Sequence, residues 1–221
     1  MVPTPDDLAA ALAAHRLRDV PALPGRTNHL RAGVLVPLVW EADDVTAVLT
    51  LRSATLGRHA GEVAWPGGRP EPEDPDLSAT ALREAREEVA AAPRRLLGRL
   101  SSVPLYTSDF RLEPFVAEVE PGLVADGGEV VALLPVGLGA LLAADRIEGV
   151  PWEWEGVRHL SPVWELASGT ALFGGTAHVL LELLQVVAPA FGRAVPPVEP
   201  GRFSWATLGI RGPRVAARTA E

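Results

Sequence analysis

The 221-residue chain carries 20 basic residues, every one an arginine, against 28 acidic ones, for a formal net charge of −8. A chain so charged does not attract a polyanion through its net field, so the reading is no nucleic-acid partner. The complete lack of cysteine removes disulfides, zinc-thiolate sites and thiol nucleophiles and fits a cytoplasmic protein, and the lack of lysine removes Schiff-base chemistry.

Apolar residues make up 48% of the chain, enough for one sizeable core. The N-terminus is acidic and has no long apolar run, which speaks against a secretory signal. No stretch reaches the roughly 20 apolar residues of a membrane span, so no membrane partner is expected.

Residues 5–19 predict a helix, with Asp6 or Asp7 near its start and Leu8, Leu12 and Leu17 on a ragged apolar face. A Pro/Gly connection follows at 21–28. The β-branched run "RAGVLVPLVW" (31–40) predicts a buried strand. With "VTAVLTLRS" (45–53) across an acidic turn it predicts a hairpin. "GEVAWPGG" (61–68) predicts a short strand ending in a Gly-Gly break, followed by a loop rich in Pro and acids at 69–76. A helix is predicted from Leu77 to Ala92, capped by Asp74 or Asp76 and stopped by Pro93. Further strands are expected at 96–107 and 111–120, a short helix at 136–145 and a hairpin around Glu155-Gly156. A long apolar helix is expected at 176–191, and the tail after Ala194 is poorly patterned. Strands first, then helices in the middle and near the end, predict a mixed α/β or α+β sandwich.

The helix at 77–92 concentrates like charge. At 100° per residue, with Glu84 at zero, Glu87 falls at about 300° and Glu88 at about 40°. Ala81, Ala85 and Val89 lie beside this arc, at about 60° to 140°. The acidic stripe therefore borders the core. Pairs such as Glu84/Glu88 cost a few tenths of a kcal/mol each, only partly offset by Arg83 opposite Glu87. An ordinary solvated helix face leaves that repulsion unexplained. A divalent cation held by carboxylate oxygens removes it. The two glycines upstream let a ligand approach the backbone closely.

Taken together, these residues resemble the Nudix hydrolases. Gly68 matches the first glycine of that family's box, and "REAREEV" (83–89) matches its arginine–glutamate core. The segment "VLTLRSATLGRHAGEVAWPGG" (48–68) is similar to the extra motif of one subfamily, the coenzyme A pyrophosphatases, and the resemblance spans about residues 30–190. Four positions depart from the pattern. Asp74 is one residue further from Arg83 than in the general box. Gly57 replaces an arginine, with Arg58 beside it. Trp65 replaces a phenylalanine, and Ala90 replaces the box's last glycine.

The resemblance implies an α+β fold, an α/β/α sandwich in which a mixed β-sheet is flanked by helices. It implies a hydrolase domain at 30–192, between an N-terminal helical extension (1–29) and a C-terminal one (193–221). The implied reaction is Mg²⁺- or Mn²⁺-dependent hydrolysis of the diphosphate of coenzyme A or its derivatives, giving 3′,5′-ADP and 4′-phosphopantetheine. The alternatives are another nucleoside-diphosphate substrate such as ADP-ribose or NADH, or a nucleotide-sensing module without turnover. Glu84 and Glu88 are the implied principal metal ligands, with Glu87 a third ligand or one acting through water. Glu129, in "GGEV", is the candidate general base from outside the box. Arg52, Arg58, His59, Gly67, Gly68 and Arg83 are the candidate substrate-binding residues, with Arg52 or Arg58 placed to hold phosphate. The expected partner is a small-molecule substrate, and the expected state a monomer or homodimer.

Overall fold

A computed structural model describes residues 2–57, 59–154 and 157–210. In chain order these form α1 (Pro5–Ala14), β1 (Leu30–Trp40), β2 (Val45–Arg52), β3 (Val63–Ala64), β4 (Gly67–Gly68), α2 (Leu77–Val89), β5 (Pro93–Arg99) and β6 (Val103–Pro104). They continue with β7 (Phe110–Val119), β8 (Val130–Gly137), α3 (Leu138–Leu142), β9 (Ile147–Trp154), β10 (Val157–Glu165), β11 (Ala171–Leu172), α4 (Gly174–Val187) and β12 (Val198–Pro200).

Strands β1 to β8 make one mixed sheet. Its centre is the parallel pair β1–β7, in register from Leu30↔Phe110 to Leu38↔Glu118. The predicted hairpin is present, with Trp40↔Val45 at its turn. β8 runs along the other edge of β2 from Thr46↔Gly137 to Arg52↔Val130, and further from the turn β2 takes β3 as its partner while β1 takes β4 through Gly33↔Gly68. β1 alternates between two cores, as a strand buried on both faces must. Leu35 and Val39 pack with Ala81, Ala85 and Val89 of α2. Val34, Val36 and Leu38 pack with Leu8 and Leu12 of α1 and Val179, Leu180 and Leu183 of α4. The mixed sheet thus lies between α2 and a layer built from α1 and α4, the expected α/β/α arrangement.

Several boundaries differ from the sequence reading. α1 stops at Ala14, not residue 19, because tertiary partners capture the next residues: His15 Nε2 meets Glu182 Oε1 at 2.7 Å, and the Arg18 amide donates to Ser101 Oγ at 2.8 Å. α2 ends at Val89, not Ala92. Ala90 adopts a left-handed φ of 50°, with its N–H and that of Ala91 returned to Arg86 O and Ala85 O. Pro93 does not stop the helix; it opens β5. Ala90→Gly removes the Cβ strain at this cap and is expected to raise stability by about 1 kcal/mol, read from urea unfolding. β8 lies in "VVALLPVG", where no strand was expected. The hairpin at 147–165 is as predicted, although its tip, Glu155-Gly156, lies outside the described residues.

α1 and the described residues after α4 are tied to this body. α1 places Leu8 and Leu12 in the core. β12 pairs in parallel with β9. Beyond it, Trp205 Nε1 donates to Pro151 O at 3.2 Å, and its ring meets that of Tyr106 edge-on at 6.1 Å.

His178, on α4, lies 3.4 Å from Ser161 Oγ. Burial pushes its imidazole down to about 4, and the Arg18 guanidinium adds to the effect. Its stabilising contribution is present above the unfolded value near 6.5 and is lost as pH falls towards 4, because only the unfolded chain takes the proton there. His178 is half-buried rather than sealed from water, which reduces the effect to roughly 2 kcal/mol. Urea unfolding of His178→Asn, compared with the parent between pH 7 and pH 4, is expected to show a correspondingly shallower loss.

Candidate active site

Asp76 is the residue that caps α2: its Oδ1 accepts from the amides of Ser78 at 2.8 Å and Ala79 at 2.9 Å. Asp74 has a different role. It accepts from Thr80 Oγ1 at 2.9 Å and pairs with Arg83 at 3.1 Å, and the Arg83 hydrogen bond leads in holding its carboxyl down at about 2. Arg83 also reaches Glu84 Oε1 and Glu87 Oε2, each at 3.1 Å, and donates to the Arg69 carbonyl at 3.1 Å. One guanidinium therefore joins the acid-rich loop, the start of the loop after β4 and two of the helix carboxylates.

The three box glutamates separate by burial. Glu88 is buried, Glu84 half-buried and Glu87 exposed. Glu88 Oε2 accepts from the Gly67 amide at 3.0 Å, and Glu88 Oε1 lies 3.5 Å from Arg52 Nη1. Burial pushes the Glu88 carboxyl up to about 7 despite these two partners, and the negative charges of Glu84 and Glu129 push the same way. Burial also raises Glu84, against the pull of Arg83. Glu87 turns to solvent with Arg83 as its partner. The glycines are there for space. A Cβ at Gly68 would run into the Glu84 carboxylate, and one at Gly67 into Gly33 O.

Glu129, distant in sequence, enters the same site. Its Oε2 lies 3.3 Å from Arg52 Nη2, so Arg52 stands between Glu88 and Glu129. His59 has a φ of 54°, and its Nδ1 lies 2.8 Å from Glu62 Oε2. Arg58 lies outside the described residues. The structure thus brings together Arg52, Gly67, Gly68, Arg83, Glu84, Glu88 and Glu129, with His59 further along the same wall.

A cavity of about 330 Å³ opens beside Gly67 and Gly68. Arg52 and His59 line it, as do Tyr106, Phe110 and Phe173. Trp65, buried in its wall, donates to Thr176 O at 3.1 Å. Burial pushes the Tyr106 hydroxyl up to about 12. Arg69 lies at the rim with its guanidinium carbon 4.8 Å from the centre of the Phe110 ring. Sequence reasoning missed Tyr106, Phe110, Phe173 and Arg69, because the aromatics come from separate segments with no motif and Arg69 is one arginine among twenty.

A model of the NUDIX domain matches residues 29–166. The chain belongs to the NUDIX domain family. It is 35% identical over 164 residues to the protein named "Uncharacterized Nudix hydrolase NudL" of Yersinia pestis (strain Pestoides F), covering 72% of this chain and 80% of that protein. The same values hold for the protein of that name in Yersinia pseudotuberculosis serotype O:3 (strain YPIII). Among solved structures, a MutT/nudix family protein from Enterococcus faecalis covers 78% of this chain and 66% of its own at 15% identity and a TM-score of 0.46. The NUDIX domain of Shewanella oneidensis NrtR, crystallised with ADP ribose, covers 61% of this chain and 85% of its own at 17% identity and a TM-score of 0.40. Kinship with Nudix hydrolases supports hydrolase activity for this chain.

Nudix hydrolases generally use divalent ions such as Mg²⁺ or Mn²⁺. The donor chemistry at α2 fits a hard cation: carboxylate oxygens at the core border, two with raised proton affinity, beside a glycine strand that leaves room for a ligand. Among the described residues no three acidic or imidazole groups already converge as a ligand set. Arg52 and Arg83 hold the carboxylates instead, and substrate oxygens and water would supply the rest of a Mg²⁺ shell. Among the described residues no helix is long and apolar enough to cross a membrane.

Proposed function

We propose that this Nudix chain hydrolyses the diphosphate of coenzyme A or a derivative of it, releasing 3′,5′-ADP and 4′-phosphopantetheine. The observation that carries the reading is Glu88. A carboxylate that burial pushes up to about 7 is costly to ionise, yet it is held in the field of Glu84 and Glu129, and its two partners, Gly67 and Arg52, line a cavity large enough for part of a nucleotide. Buried charge of one sign is retained where a cation or a reaction uses it. The segment 48–68 supports the substrate, because it carries the end of β2 together with β3 and β4 and so supplies both Arg52 and the glycines at the site.

Glu84 and Glu88, one turn apart on α2, are the principal metal ligands in this reading, and the exposed Glu87 acts through water. A divalent ion held there supplies charge neutralisation on the diphosphate and acidifies a water. Gly67 and Gly68 admit the diphosphate against the backbone. Arg52, paired with Glu88 and Glu129, positions these carboxylates beside the diphosphate; Arg58 is the candidate of the two to offer guanidinium donors to its oxygens, and His59 lines the approach. Arg83 positions Glu84 and Glu87. Glu129, more than half exposed and steadied by Arg52, accepts the proton of the attacking water. All three box carboxylates are present, which favours turnover over sensing. Initial rates on equal concentrations of CoA, ADP-ribose and NADH with Mg²⁺ test the substrate. CoA is expected to lead by tenfold or more, and a lead for either of the others removes the coenzyme A assignment.

A further inference from the structure

The cavity beside the glycine strand is lined by two arginines within the described residues, and they are in different states. Arg52 spends its two amino groups on Glu88 and Glu129. Arg69 has no carboxylate partner among the described residues. Its guanidinium lies over the Phe110 ring at 4.8 Å, while its carbonyl accepts from Arg83 Nη2 at 3.1 Å. The backbone of Arg69 is therefore fixed to the catalytic helix, and its side chain is laid along the cavity rim. A guanidinium stacked on an aromatic face keeps its N–H edge free and pre-oriented, which suits bidentate capture of a phosphate group. Around it, Phe110, Tyr106 and Phe173 present flat apolar surface of the kind on which a nucleobase stacks. The walls also carry an acidic group, Glu62, which His59 holds at 2.8 Å.

Resting on the coenzyme A reading above, we propose that Arg69 is the specificity-determining residue for the ribose 3′-phosphate, and that the Phe110–Tyr106–Phe173 cavity takes the adenosine half of the substrate. The position agrees with the chemistry. Arg69 follows Gly68 directly, so its side chain starts where the diphosphate must lie and ends a few ångströms away, within the span of one nucleotide. In a chain of net charge −8, an anionic ligand gains most from a cation that is not already neutralised.

The test pairs binding with turnover in the full chain. Binding of 3′,5′-ADP and of 5′-AMP is measured by calorimetry for the parent and for Arg69→Gln. kcat/KM is measured for CoA and for dephospho-CoA, which lacks the 3′-phosphate. The parent is expected to prefer the 3′-phosphorylated partner in each pair by about tenfold or more, chiefly through Kd and KM. Arg69→Gln is expected to bring both ratios within about twofold of unity. Arg69→Lys, which keeps the charge but not the fork, is expected to restore part of each ratio. The inference is overturned if the parent shows no preference, or if Arg69→Gln retains it, including the case in which both ligands of a pair weaken equally. The two readings fail separately. CoA turnover with an unaltered ratio in Arg69→Gln leaves the reaction standing and removes Arg69. No CoA turnover, with a 3′-phosphate preference that Arg69→Gln abolishes, leaves Arg69 standing as a binding residue and removes the reaction.

Discussion

Replacing Glu88 by Gln is expected to lower kcat on CoA by about two to three orders of magnitude, the rate equivalent of losing several kcal/mol of metal-assisted stabilisation. The same variant, compared with the parent in EDTA at pH 7.5, is expected to melt at an equal or higher temperature. The two effects have one cause. The parent holds a carboxylate where burial disfavours its charge. Glutamine keeps an oxygen for the Gly67 amide, now at 3.0 Å from Glu88 Oε2, but relinquishes the charge that a cation requires. A structural role alone for Glu88 predicts the reverse pattern, a less stable protein with near-normal turnover. Kinetics at saturating and limiting Mg²⁺, together with a melting curve, separate the two.

Removing Glu182 is expected to give the largest loss of stability of any single truncation outside the apolar core. Its side chain is fully buried on α4. Oε1 accepts from Ser101 Oγ at 2.5 Å and the Ser101 amide at 3.1 Å and lies 2.7 Å from His15 Nε2, while Oε2 accepts from Arg18 Nη2 at 3.0 Å. Burial raises this carboxyl, but the hydrogen bonds from Ser101, His15 and Arg18 outweigh it and hold the group below its ordinary range. Glu182→Ala leaves a buried amide without an acceptor and frees the segment after α1, at a cost of about 3–5 kcal/mol. Urea unfolding measures it, and a loss under about 1 kcal/mol contradicts this account of how residues 15–18 are anchored.

Parts of the site were legible because local chemistry determined them. The like charges of "REAREE" at helical spacing, with apolar residues on the adjoining arc, located α2 and its border position. The Gly-Gly pair marked where a ligand or side chain comes close to the backbone, but it was read as the break at the end of one strand, whereas Gly67 and Gly68 are themselves a strand, paired with β1 and separate from β3. Other parts depended on partners far away in sequence. Asp74 and Asp76 are equivalent as caps on paper, and only the position of Arg83 divides their roles. Pro93 looked like a helix stop because proline so often is one, yet Ala90 had already turned the chain. The 3.6-residue period placed Glu87 beside Glu84 and Glu88, but not the Arg83 contact that keeps it on the solvent side. The aromatic cavity left no trace in any one segment, since Tyr106, Phe110 and Phe173 meet only after β7 has paired with β1 and α4 has packed beneath the sheet.

The most direct test of the central claim is the identity of the products. The full chain is incubated with CoA and Mg²⁺, with a parallel EDTA control, and the products are separated by chromatography and weighed by mass spectrometry. The account predicts 3′,5′-ADP and 4′-phosphopantetheine in equal amounts, absent with EDTA and strongly reduced in Glu88→Gln. Intact CoA after prolonged incubation with Mg²⁺ and Mn²⁺, or the same products in undiminished yield from the EDTA control, would contradict it.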